Sequence, residues 1–81
     1  MTEIATPVEQ PTAEEIARHY SAAMDSVNLI NGTKPTMESD ADWADTIARN
    51  VAHLEIMAAK TYWTTEDLTP FTEAIAKGKG Q

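Results

Sequence analysis

Residues 42–63 read DWADTIARNVAHLEIMAAKTYW, and apolar residues recur along this run at the spacing of an α-helix. At about 100° per residue, the larger apolar side chains gather on one broad stripe of such a helix. That stripe contains Trp43, Ile47, Val51, Leu54, Met57, Ala58 and Tyr62. We therefore predict a helix over residues 40–63 whose stripe faces a hydrophobic core.

A second apolar row lies beside this stripe and consists mainly of small residues. Its members are Ala48, Ala52, Ile56, Ala59 and Trp63. A third helix offers few apolar residues to cover the row, and Trp is over-represented among the residues that dominate binding energy. We predict that the row is a protein-binding site centred on Ile56 and Trp63. The alternative is that the third helix covers it.

The first helix has a start signal and a stop signal of its own. Thr12 and Glu15 stand three residues apart, which is the pattern of a capping box. Asn31 and Gly32 are typical of a helix end in the left-handed conformation. The pattern predicts a helix over residues 13–30.

Thr64 precedes two acidic residues, so it is typical of the N-cap of a third helix. We predict that this helix spans residues 66–77. Pro70 favours a later start, near Thr69, because proline is best tolerated in the first helical turn.

These predictions define an all-α fold with no strands: an antiparallel helical hairpin plus a short third helix, which together form a small three-helix bundle. We expect a flexible N-terminal tail over residues 1–11, the helical domain over residues 12–77, and a flexible C-terminal tail over residues 78–81.

Composition limits what the protein can do. The chain has 81 residues, no cysteine, and a formal net charge of −7. An acidic chain is poorly suited to neutralising phosphates, so we expect no direct nucleic-acid binding. Acidity also permits an alternative function, in which the protein mimics nucleic acid and inhibits a host protein.

Catalytic and metal-binding patterns are weak. Neither His19 nor His53 has enough potential ligands nearby in sequence for a transition-metal site. No histidine stands at a spacing that suggests activation of Ser21, Ser26 or Ser39. We predict a protein that is not an enzyme, with no catalytic residue, cofactor or metal.

No membrane segment is expected, because the longest apolar run, Ile56–Ala59, is far too short to span a bilayer. The first residues also lack the basic and apolar regions of a secretory signal. We therefore expect an intracellular protein.

Residues 49–79, RNVAHLEIMAAKTYWTTEDLTPFTEAIAKGK, resemble the C-terminal part of small uncharacterised helical proteins of tailed bacteriophages, especially marine ones. The resemblance is carried by Asn50-Val51, His53-Leu54-Glu55, Ala59-Lys60, Trp63 and residues 66–71. It implies a virion structural component or a phage accessory protein in the host cytoplasm, and it assigns no catalytic residue. The predicted function is non-enzymatic protein binding, in which the second helix docks on another copy or on a virion or host protein.

Overall fold

A computed structural model describes residues 11–80, which form three α-helices and contain no strand. The helices are α1 (Ala13–Asn31), α2 (Asp40–Ala58) and α3 (Thr65–Lys79). Each helix contacts the other two. Successive helices run antiparallel, as the order of the contacts along each pair of helices requires. The protein is a small three-helix all-α bundle, as predicted. The predicted tail over residues 1–11 lies outside the described residues, apart from Pro11.

Side-chain caps begin all three helices. The Thr12 hydroxyl accepts a hydrogen bond from the backbone N–H of Glu15 (3.1 Å), and the Glu15 carboxylate accepts one from Thr12 N–H (2.9 Å). Thr64 and Asp67 form the same reciprocal pair at α3. Ser39 caps α2 by accepting one backbone N–H. These bonds satisfy backbone donors that have no partner inside the helix, which explains why the starts were predictable.

Helix ends follow the predictions less closely. Gly32 ends α1 in an extended conformation, with φ of −82° and ψ of −174°, so the predicted left-handed stop is wrong. The N–H of Gly32 instead bonds to the Leu29 carbonyl (3.2 Å) in a tightened last turn. Helix α2 ends at Ala58, five residues before the predicted end at Trp63.

Helix α3 is longer than predicted at both ends. It begins at Thr65 and contains Pro70, so the alternative start near Thr69 is wrong. The missing N–H of Pro70 affects only the carbonyl four residues earlier, on the exposed Glu66, where water can replace it. The helix also continues to Lys79, through residues that were predicted to be a tail.

Gly78 is buried because α3 packs closely against the other helices there. A Cβ atom at this position would overlap Cγ2 of Val51 and would lie 3.4 Å from Cγ2 of Ile47 and 3.6 Å from Cγ2 of Ile30. The missing side chain therefore sets the distance between α3 and α2. Gly80, by contrast, would place a Cβ at ordinary contact distance, 3.5 Å from the Ala76 carbonyl oxygen.

We predict that Gly78→Ala destabilises the fold by about 1 to 3 kcal/mol, the usual cost of overpacking, although alanine favours helix. Val51 is β-branched and lies within a helix, so its methyl group has little freedom to move away. Gly80→Ala is the matched control and should change the free energy of unfolding by less than about 0.5 kcal/mol. Urea denaturation of both variants checks this, and equal midpoints would contradict the close packing.

The core lies between the three helices, and its largest fully buried side chains are Phe71, Ile30 and Leu54. The other buried apolar residues are Ala23, Val27, Ile47, Val51, Met57, Trp63 and Ala74. Most of the predicted stripe therefore faces the core. Trp43, Ala58 and Tyr62 are half-buried at its margins.

We predict that Leu54→Ala costs about 2 to 5 kcal/mol, because Leu54 is fully buried and its loss leaves a cavity. Arg49 is exposed on the same helix, so Arg49→Ala should cost little. Chemical denaturation followed by circular dichroism measures both costs. Equal midpoints for the two variants would disprove the assignment of the stripe.

Candidate protein-binding site

The outer face of α2, together with Ala59 directly after its last residue, carries four of the five residues of the predicted binding row. Ala48, Ala52 and Ala59 are exposed, and the side chain of Ile56 is 64% exposed. Helices α1 and α3 both pack on the opposite face, where Val51 and Leu54 are buried. The third helix therefore leaves these four residues uncovered. We call Ala48, Ala52, Ile56 and Ala59 the α2 outer row.

Trp63 does not belong to this row, which corrects the prediction. Its side chain is 8% exposed, and its indole N–H donates a hydrogen bond to the Met57 carbonyl oxygen at 2.6 Å. Its ring also meets Phe71 edge to face, with centroids 5.1 Å apart. The placement on a helical wheel failed because α2 ends at Ala58, and the chain then turns Trp63 into the core.

A groove of about 330 Å³ adjoins the α2 outer row. Its lining residues are Asp40, Trp43, Ala44, Ile47, Ala48 and Gly78. Trp43 and Ile47 form part of its wall because Gly78 has no side chain to cover them. The sequence did not predict this groove, since its existence depends on where α3 crosses α2.

Charged residues border the outer face of α2. Asp45 pairs with Arg49 at 3.4 Å within the helix, and Glu55 pairs with Lys79 at 2.6 Å. Asp40 accepts a hydrogen bond from Lys34 at 2.6 Å, and this bond together with the lysine charge lowers the pKa of the Asp40 carboxyl. The site therefore has a small-residue centre and a rim of mixed charge.

A polar cluster on another face joins α1 to α2. Ser26 is 5% exposed, and its hydroxyl donates to Oδ1 of Asn50 (2.8 Å) and lies 2.9 Å from Nδ1 of His53. The amide of Asn50 donates to the Thr46 carbonyl (2.8 Å), which leaves Oδ1 as the acceptor. Since the single hydroxyl hydrogen goes to Asn50, His53 must donate its Nδ1–H to Ser26.

The sequence showed no histidine at a spacing that suggests activation of Ser26, and the structure places His53 beside it. The contact depends on the register between α1 and α2, so spacing along the chain does not reveal it. The arrangement nevertheless lacks the features of an activated nucleophile. The serine hydrogen points to an amide instead of an imidazole base, and the hydroxyl is buried between two helices, away from the groove. The cluster satisfies polar groups inside the helix interface.

We predict that Ser26→Ala destabilises the bundle by about 1 to 3 kcal/mol, because it leaves Asn50 and His53 without their shared partner. Ser21 is exposed on the same helix, so Ser21→Ala serves as the control and should have an effect below about 0.5 kcal/mol. Urea denaturation compares the two variants. Equal stability would show that the cluster contributes nothing measurable.

The other histidine, His19, lies in the N-terminal half of α1. Nδ1 of His19 is 2.6 Å from the Tyr62 hydroxyl, and both side chains are half-buried. Within residues 11–80, no three histidine, aspartate or glutamate side chains converge as a metal site would require. Each of the two histidines contacts a hydroxyl group of the protein itself.

Comparisons of the chain with protein-family models, with characterised proteins and with solved structures found no match. In the part of the chain that the structure describes, no helix has the length and apolar character needed to cross a membrane.

Proposed function

We propose that this chain is a small non-enzymatic protein-binding module that uses the outer face of α2. The observation that supports the proposal is the continuous α2 outer row, in which Ile56 is 64% exposed between alanines. A single exposed apolar residue is common on protein surfaces. A row extending along one helix, beside an apolar groove, is more typical of a contact surface.

The groove beside the row strengthens the proposal. Interfaces commonly seat a large side chain in a pocket and surround it with contacts that exclude water. Trp43 and Ile47 provide apolar walls for such a side chain, and Asp40 provides a charged edge. The alanines of the row allow another backbone to approach α2 closely.

We further propose that the protein is a phage accessory protein or a virion structural component, acting in the host cytoplasm or within a virion. The support is the resemblance of residues 49–79 to small proteins of tailed bacteriophages. The partner would then be a second copy, a virion protein or a host protein.

The acidic nucleic-acid mimic receives less support. Glu15 and Asp67 are engaged in capping boxes, and Asp40 and Glu55 pair with lysines. These acids thus have local structural roles. A mimic would need regularly spaced acids free to meet a basic groove.

A photoreactive amino acid in place of Ile56 tests the proposed function in bacterial host cells. We expect discrete cross-linked adducts at position 56, because this residue lies in the middle of the contact. The same amino acid in place of Ala76, which is exposed on α3, is the control and should give none. Adding Ala52→Asp should remove the adducts, since a partner would bury an unpaired carboxylate. Equal labelling at both positions would overturn the proposal.

Ile56→Asp provides the matching stability measurement. Because Ile56 is largely exposed, the substitution should change the free energy of unfolding by less than about 0.5 kcal/mol. Circular dichroism of the purified variant checks this expectation. A variant that unfolds would identify Ile56 as a core residue and remove the main support for the binding site.

A further inference from the structure

The two ends of the outer face of α2 carry opposite charges that lack partners. Among residues 11–80, neither Asp42 nor Lys60 forms an ion pair, whereas Asp45 and Glu55 do. Ala59 keeps helical backbone angles, and Lys60 N–H bonds to the Met57 carbonyl at 3.1 Å. The chain therefore follows a nearly helical path as far as Lys60.

Asp42 and Lys60 also lie on the same edge of the helix. Their separation of 18 positions is about five turns at 3.6 residues per turn, or about 27 Å along the axis. Ala48, Ala52 and Ile56, the apolar part of the face, lie beside this edge, and the Asp45–Arg49 ion pair lies between its two ends. An unpartnered acid and an unpartnered base thus mark the two ends of one edge, next to the apolar part of the face.

We propose that the occupant of this face is a second copy of the chain, packed antiparallel through α2 about a two-fold axis near Ala52; this inference rests on the proposed function. In an antiparallel pair related by a two-fold axis, the same edge of each helix meets its counterpart. Asp42 of each copy then meets Lys60 of the other, so the charges complement each other twice.

The same register accommodates Ile56. With the axis near Ala52, Ile56 of one copy lies at the level of Asp45 and Ala48 of the other. Alanines at 48 and 52 leave space for its branched side chain on the facing helix. A contact through one helix is small, so the dimer should be weak and should depend on protein concentration.

Single cysteines test the geometry directly, because the native chain has none. Ala52→Cys should form a disulfide-linked dimer readily, since the axis brings its two copies together. Ala44→Cys and Ala59→Cys should link to each other when mixed. Ala59→Cys alone should link poorly, because its copies are about 22 Å apart along the helices. Ala76→Cys on α3 measures random collision.

Charge reversal tests the register. Lys60→Glu should weaken the dimer about five- to tenfold in sedimentation analysis, because both ion pairs become repulsive. Adding Asp42→Lys should restore wild-type association, which loss of folding would not allow. A wild type that stays monomeric at every concentration, or that links best through Ala59→Cys alone, would overturn the antiparallel dimer.

The two proposals fail in different ways. If the purified chain is monomeric while position 56 cross-links a different protein in cells, the second-copy proposal is wrong and the proposed function stands. If position 56 yields no adduct in cells, both are wrong, because a second copy would also have been captured.

Discussion

The hydrogen bond from the Trp63 indole N–H to the Met57 carbonyl oxygen joins the end of α2 to the segment that leads into α3. Met57 lies in the last turn of α2, and its carbonyl oxygen also accepts from the backbone N–H of Lys60 at 3.1 Å. The bond from Trp63 provides a partner for the only polar group of a buried indole. Because the same ring packs against Phe71, the bond also holds α3 in place against α2. The position of α3 then leaves the outer face of α2 uncovered.

Local chemistry explains which parts of the fold were predictable. Thr12, Ser39 and Thr64 cap their helices through residues three positions away, so their signals are contained in short segments. The end of α2 has no such signal, because residues 58–62 contain neither glycine nor proline. Burial of Trp63 decides that end, and this burial depends on contacts distant in sequence. At Gly78 the error is the opposite one, since the helix was predicted to end before this glycine but continues through it. The missing side chain of Gly78 lets α3 approach α2 closely at this position.

In the candidate site, too, the predictable features are those that a single helix determines. Ala48, Ala52 and Ile56 were correctly placed on one outer face because a single regular helix carries them. Trp63 was misplaced because it lies beyond the end of that helix. The groove beside Ala48 requires the crossing point of α3, and the contact of Ser26 with His53 requires the register of α1 against α2. Helical periodicity describes one helix at a time, so it predicts neither the crossing point of α3 nor the register of α1 against α2.

The direction of the hydrogen bonds around Ser26 also gives the cluster an internal order. His53 Nδ1–H donates to the serine oxygen, and the serine hydroxyl donates to Oδ1 of Asn50. The amide of Asn50 donates in turn to the Thr46 carbonyl oxygen, so the three bonds run in one direction, from His53 to Thr46. Hydrogen bonds aligned in this manner polarise and strengthen one another. The contact between α1 and α2 is therefore cooperative at this point, and the loss of any one member weakens the bonds that the others make.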